Sequence, residues 1–253
     1  MATVRRVLAP NGGPYTGPGT NTWVLGDEPV KVVIDPGPDL EAHRRRIAVA
    51  LGQQALGAVL VTHSHGDHLE GAARLAAAHQ TRVLRQADLH HGDVVRIGRL
   101  SLTALHTPGH AADHLAFWLA EDRVLFSGDL ILGRGSSMVA YPEGDVAQYL
   151  RSLDLVAELR PRLIFPGHWD PIDDPAGKIA EYQQHRLERE RQVLSALAAG
   201  PAGLSTLTER VYAELDAGSP LRQGAELTLR AHLQKLIQEG RAKEEAAVYS
   251  PTT

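Results

Sequence analysis

Four short blocks of this 253-residue chain carry nitrogen and oxygen donors at spacings that suit metal ions. They are His63, His65, Asp67 and His68 in THSHGDH, His110 in TPGH, Asp129 in SGD, and His168 in PGH. The chain has no cysteine, so no thiolate competes for the metal. Seven such donors are enough for two ions that share one bridging carboxylate. A pair of this kind makes a hydroxide nucleophile at neutral pH and clamps the oxygens of the bond being hydrolysed. The chemistry expected is that of a metallohydrolase.

The spacing within each block supports this. Residues 58–62 read as a buried strand, and His63 follows at its end. On extended backbone, residues two apart point to one side, so His63 and His65 can reach one ion. Gly66 permits a sharp turn. Asp67 and His68 then open a helix and can serve a second ion. Pro108-Gly109 and Pro166-Gly167 are tight-turn signals just before His110 and His168. The bland alternatives are solvated histidines on unrelated loops, or a closed structural site. Four blocks in this order speak against the first, and structural zinc sites are usually tetrahedral and often use thiolates.

The other histidines take plainer roles. His43, His79, His185 and His232 lie on helical patterns, as surface or packing residues. His90 and His91 are adjacent and point in different directions, and His106 reads as a strand residue. His114, four residues after His110, is expected to orient a ligand or to touch substrate.

These donors need a scaffold that brings strand ends together. Apolar, β-branched runs bounded by Gly, Pro and Asp predict strands at 22–26, 30–35, 58–62, 82–84, 94–97, 101–106, 114–119, 123–127 and 163–166. Helices are predicted over 40–51, 68–79 and 146–159. Many strands with a few interspersed helices imply a layered α/β domain. A break falls near Asp173, Asp174 and Pro175, dividing the chain into 1–174, a catalytic domain, and 175–253, a linker helix with a small helical domain. The linker helix runs over about 177–199. Thr206 and Glu209 have capping-box spacing. Leu229, Leu233, Leu236 and Ile237 share one helical face, and Gly240 is a plausible stop. A short wing strand is expected over 241–249. Helix, helix, helix, wing is the order of a winged-helix module.

Composition sets the outer bounds. The net charge of −4 and pI near 6.3 give no global pull toward nucleic acid or anionic membrane. The absence of cysteine fits a reducing compartment. The first residues lack the apolar run of a signal peptide, and no stretch is long enough to span a bilayer. The expected location is the cytoplasm.

THSHGDH, TPGH, SGD and PGH together resemble the metallo-β-lactamase superfamily over about 21–171. The resemblance implies an αββα sandwich with a dinuclear site at one edge, between two sheets. By it, His63, His65 and His110 bind the first metal, Asp67, His68 and His168 bind the second, and Asp129 bridges them. The cofactors implied are two Zn2+, with Mn2+ or Fe2+ as substitutes. Asp67 and Asp129 also become the catalytic residues that position the hydroxide or take its proton. Asn21, His114 and Trp169 are the candidate substrate contacts, and Met138 and Tyr141 are further candidates to line a pocket. A bridging aspartate and the lack of cysteine argue against drug hydrolysis as the main activity. The short interval from Asp129 to His168 leaves no room for a large inserted nuclease domain.

GTNTWVLG, TPGHAADH, FSGDLILG, FPGH and the EYQQHRLERERQVL helix resemble the beta-lactamase-like protein 2 branch, which ends in a winged helix. That branch includes a single-strand-specific endoribonuclease and fungal acyl-carrier thioesterases. FPGHWDP departs from it, with Trp169 where many relatives have glycine, and so does GRGSSM. The resemblance implies a hydrolase using a bridging hydroxide on single-stranded RNA. The alternative is a thioester or ester, with the winged helix as a protein-contact or homodimerisation module. The clustered Arg186, Arg189 and Arg191 are either a basic stripe for RNA or a helix face paired with Glu188 and Glu190.

Overall fold

Strands buried on both faces demand cover on both sides, and that requirement shapes the first part of the chain. The computed structural model describes residues 3–26, 29–216, 218–219 and 221–252. It divides into two compact units.

The first unit comprises 1–107, 113–137 and 155–178. Its first sheet has the order β1 (Val4–Leu8), β2 (Asn21–Leu25), β3 (Val30–Ile34), β4 (Ala55–Leu60), β5 (Val83–Leu84). The β3–β4 and β4–β5 pairs are parallel and the others antiparallel. Its second sheet runs β10 (Leu163–Pro166), β9 (Val124–Gly128), β8 (Leu115–Leu119), β7 (Leu100–His106), β6 (Val94–Ile97), and only β9–β10 is parallel.

Alternation along the strands decides what each face meets. Trp23, Leu25, Val32, Ile34, Ala58 and Leu60 pack with Leu102, Ala104, Leu115, Phe117 and Phe126 in one core. The intervening Val24, Val33 and Val59 pack instead with Ile47 and Leu51 of α1 (Glu41–Leu51) and Ala72 and Leu75 of α3 (Ala72–Ala78).

Two expectations change here. The helix expected over 68–79 is two helices, α2 (Gly66–Leu69) and α3. The break falls where the Gly71 amide bonds the Gly37 carbonyl at 2.9 Å. Strand β1 escaped sequence reading because it is an edge strand with exposed Arg5 and Arg6, so only Val7 is buried.

The second unit comprises 108–112, 138–154 and 179–253. It takes in the start of α4 (Val146–Glu158), most of α5 (Pro175–Ala198), then α6 (Leu204–Val211) and α7 (Arg222–Gln238). A three-stranded sheet, β11 (Ala202–Gly203), β13 (Val248–Pro251), β12 (Ala242–Glu245), completes it. Helix α5 starts as its residues dictate, with Pro175 at the first helical position and Asp174 Oδ1 accepting from the Gly177 amide at 3.0 Å. The expected apolar face of α7 is real: Leu229, Leu233 and Leu236 are buried with Leu197, Leu207 and Tyr249. At its end the Gly240 amide bonds Ile237 O and the Arg241 amide bonds Leu236 O, a Schellman closure.

The wing is a hairpin, not one strand. Ala246 and Ala247 both have positive φ, as a two-residue turn between right-twisted strands requires. Thr206 is no cap either: it lies inside α6, whose N-cap is Gly203. Its neighbour Thr208 turns its hydroxyl back to Leu204 O.

Candidate metal centre

The metal-ligand candidates sit where β4 and β9 end and in the turn after β10. Strand β4 delivers Val61, Thr62 and His63, all buried. His63 Nε2 and His65 Nδ1 stand 3.0 Å apart, as the i, i+2 rule anticipated. His65 then caps α2, which carries Asp67 and His68.

Asp67, His68 and His168 form a nearly equilateral triangle. His68 Nε2 lies 3.4 Å from His168 Nε2 and 3.5 Å from Asp67 Oδ2, and His168 Nε2 lies 3.3 Å from Asp67 Oδ2. Asp129 joins both histidines: Oδ1 is 3.4 Å from His68 Nε2 and Oδ2 is 3.5 Å from His168 Nε2. These separations exceed a good hydrogen bond, about 2.7–3.2 Å for N–H···O. They match instead the spacing of two ligand atoms each about 2.1 Å from one tetrahedral ion, about 3.4 Å. The set His63, His68 and Asp129 also holds one ligand atom each within 4.8 Å of the others. The donor set therefore fits divalent metal.

The outer contacts fix which nitrogen faces inward. Asp35, in the left-handed region at the end of β3, accepts from the Thr62 amide and hydroxyl, each at 2.8 Å. Its Oδ2 takes His68 Nδ1 at 2.8 Å, which leaves Nε2 toward the triangle. His168 Nδ1 sits 3.1 Å from Gly19 O in the same manner. Thr20 Oγ1 donates to Asp67 Oδ2 at 3.2 Å. Asp35 was missed in sequence reading; an aspartate closing a buried strand in VIDPG was the available signal.

Charge accounts for the titration of the cluster. Burial works against a charged His168, but the Asp129 carboxylate, with Asp67, outweighs it and pushes the pKa up to about 11. Burial likewise opposes charge on His68, and Asp129, Asp35 and Asp67 together raise it. Burial opposes ionisation of Asp67, yet the adjacent His168 and His68 imidazoles hold its carboxyl below the ordinary value. Buried carboxylates that retain protons on neighbouring imidazoles form a place that calls for a cation.

Two glycines allow close packing around the cluster, and one of them borders the Asp129 carboxylate. Gly128 has φ +49, and a Cβ there would stand 2.8 Å from His114 Nε2 and Thr62 Oγ1. A Cβ on Gly167 would collide with Asp129 Oδ1 and stand 2.8 Å from His68 Cε1.

The three expected substrate contacts have definite places. His114 is fully buried, with Nδ1 2.9 Å from Thr107 Oγ1 and Nε2 accepting from the Asp129 amide at 3.1 Å, so it orients the aspartate. Asn21 is also buried. Its Nδ2 donates to Pro166 O at 3.0 Å and Trp169 O at 2.7 Å, and its amide donates to Gly167 O at 2.7 Å. Asn21 thus straps down the turn that carries His168. Trp169 is half-buried at φ +70, a conformation that favours glycine, with Arg134 5.4 Å over its ring.

His110 belongs to the second unit, where its Nδ1 is 2.7 Å from Met138 O. Tyr141 lies there too, half-buried. The arginine cluster of α5 is not a stripe. Arg186 is buried over the Tyr149 ring, Arg189 lies over Tyr212, and Arg191 pairs with Glu188. Glu190 pairs with Lys235 and Arg241 instead.

Residues 15–91 and 81–168 match the Metallo-beta-lactamase superfamily, and 204–249 match the Beta-lactamase associated winged helix domain. An atrochrysone carboxyl ACP thioesterase of Aspergillus chevalieri is 34% identical over 92% of this chain and 79% of its own length. A beta-lactamase-like protein 2 homolog of Drosophila melanogaster is 31% identical over 100% of this chain and 96% of its own. A crystal structure of a metallo-beta-lactamase family protein from Thermus thermophilus superposes with TM-score 0.83 at 22% identity, covering 98% of both chains. Among the described residues no helix is long and apolar enough to cross a membrane. The chain belongs to the metallo-β-lactamase superfamily, as a metal-dependent hydrolase of the beta-lactamase-like protein 2 branch with an αββα sandwich and a C-terminal winged helix.

Proposed function

We propose that the chain is a dinuclear thioester hydrolase. His63, His65 and His110 hold the first ion, Asp67, His68 and His168 the second, and Asp129 spans both. The triangle of 3.3–3.5 Å separations among Asp67, His68 and His168 carries the proposal. The ions supply, when bound, a nucleophile at neutral pH and positive charge for the developing anion. Nitrogen and oxygen donors without thiolate suit zinc, and also manganese or iron. Asp67 and Asp129 are the carboxylates placed to orient the attacking oxygen and receive its proton. Trp169, beside His168, borders the space where an acyl group would lie. Residues 1–174 serve as the catalytic domain, and 175–253 as linker helix and winged helix. A chain without cysteine suits the cytoplasm.

The relative named an acyl-carrier thioesterase, similar over most of both chains, favours a carrier-bound thioester. A second reading, single-strand endoribonuclease, draws on a different observation. Tyr15 is 54% exposed, and Trp169 with Arg134 stacked on it adds a second aromatic face and a cation. Aromatic faces with a cation are what single-stranded bases stack on. The engaged arginines of α5 offer it no further support.

The test is hydrolysis of an acyl-pantetheine thioester by zinc- or manganese-loaded protein, beside a labelled single-stranded RNA, with Asp67→Ala prepared identically. Thioester hydrolysis by the wild type alone is expected. RNA cleavage without thioester hydrolysis transfers the site to the nuclease reading. Metal-loaded protein inert toward both substrates would overturn both.

A further inference from the structure

The second unit combines two distant stretches, 108–112 and 138–154, with the whole winged helix. One of those stretches carries His110. Its Nδ1 lies 2.7 Å from the Met138 carbonyl, which places the proton on Nδ1 and turns Nε2 into the coordinating nitrogen. The backbone around His110 is tied down in the same unit. The Asp145 amide donates to Gly109 O at 2.9 Å, and Ser152 Oγ donates to Pro108 O at 2.7 Å. At Gly109, φ +137, a side chain would run into the backbone of Tyr149.

The segment that supplies the Met138 carbonyl is in turn gripped by α7. The Tyr141 amide donates to Leu227 O at 3.2 Å. The Arg230 guanidinium lies 4.4 Å over the Tyr141 ring. Arg230 Nε is buried without a hydrogen-bond acceptor, and no ion pair holds the guanidinium among the described residues. The aromatic face is therefore its partner.

We infer that Tyr141, clamped by Leu227 and Arg230 of α7, is a positioning residue for the metal ligand His110. Helix α7 then holds, within the second unit, the carbonyl that orients the His110 imidazole. The inference rests on His110 being a ligand of the first ion, as proposed above.

The experiment uses the full chain and three variants, Tyr141→Ala, Tyr141→Phe and Arg230→Met. Zinc titration against a competing chelator reads affinity for each ion, and hydrogen exchange of the metal-free protein reads protection of 108–112 and 138–145. Tyr141→Ala is expected to weaken the first ion by up to about 10-fold, the low end of the effect of losing an outer-sphere partner, because the Met138 carbonyl is loosened and not removed. The second ion, on Asp67, His68 and His168, stays at wild-type affinity. Tyr141→Phe keeps a ring under Arg230 and restores binding, whereas Arg230→Met weakens the first ion in the same direction. Both weakened variants lose protection over 138–145. Wild-type affinity for both ions with unchanged exchange in Tyr141→Ala and Arg230→Met would overturn the inference. A wild type that binds one ion only sinks the dinuclear reading instead. The exchange data then decide the clamp alone: lost protection supports it and unchanged protection overturns it.

Discussion

His68 Nδ1 stands 2.8 Å from Asp35 Oδ2, and both residues are buried. The same carboxylate takes the amide and the hydroxyl of Thr62. Asp35 thus ties the end of β4, where the first histidines emerge, to the ring orientation of His68 on α2, a proposed ligand. Asp35→Ala is expected to cost about 10–100-fold in affinity for the second ion. It also leaves the buried Thr62 amide without an acceptor, at about 1–3 kcal/mol of stability. Chelator competition and urea unfolding separate the two effects. Wild-type metal affinity in a destabilised variant would show Asp35 to be structural only.

Gly167→Ala is a probe of space rather than of backbone. The added Cβ would meet Asp129 Oδ1 and the His68 ring. The fold is expected to survive, with circular dichroism unchanged and metal content reduced by at least half. Full metal content by elemental analysis would mean that Asp129 has slack and is not held as a bridge.

Much of this centre was legible in the sequence. His63 and His65 converge because extended backbone repeats every two residues, and Pro166-Gly167 marks the turn that carries His168. What stayed hidden was contact at long sequence range. Asp35 is 33 residues from His68, and Asn21 is 145 residues from the Pro166 carbonyl that it holds. Asn21 reads as a substrate contact by resemblance, and His114 as a residue that orients a ligand or touches substrate; their contacts show Asn21 holding the Pro166 carbonyl and His114 the Asp129 amide. For the α5 arginines spacing leaves a stripe and a paired helix face both open; Arg191 does pair with Glu188, and only the rings of Tyr149 and Tyr212 reveal the use of Arg186 and Arg189. Edge strand β1 and the two-alanine wing turn lacked the apolar alternation and glycine that announce such elements.

Metal uptake is expected to be proton-coupled. Asp129 and the neighbouring carboxylates raise the pKa of His68 and of His168, the latter to about 11. In the metal-free fold a raised histidine contributes stability fully below its unfolded value, about 6.5. That contribution fades as pH rises through the folded value. An incoming ion must displace those protons, so apparent affinity falls with falling pH, by up to about tenfold per unit for each proton released. Calorimetry in buffers of different ionisation enthalpy counts the protons directly. Zero release at neutral pH would contradict the charge assignment.

His232 is expected to contribute to the acid limit of the second unit. It is fully buried in α7, and neither ring nitrogen has a partner among the described residues. Burial, with Arg186, Arg189 and His185 of α5 and Lys235 of α7 nearby, lowers its pKa to about 3. A depressed histidine stabilises the fold above its unfolded value, and that stability is lost as pH falls from about 6.5 toward the folded value. At about 1.4 kcal/mol per pKa unit the whole window is on the order of 4–5 kcal/mol. His232→Leu is expected to flatten this acid limb. At neutral pH it should change stability by less than about 1 kcal/mol, because no partner is orphaned. His43, also lowered to about 4, is the contrast: its Nε2 lies 2.7 Å from Thr22 Oγ1, so His43→Leu costs stability at neutral pH too. Urea unfolding between about pH 7 and 4 measures both variants. An acid limb as steep in His232→Leu as in the wild type would assign the acid sensitivity to other groups.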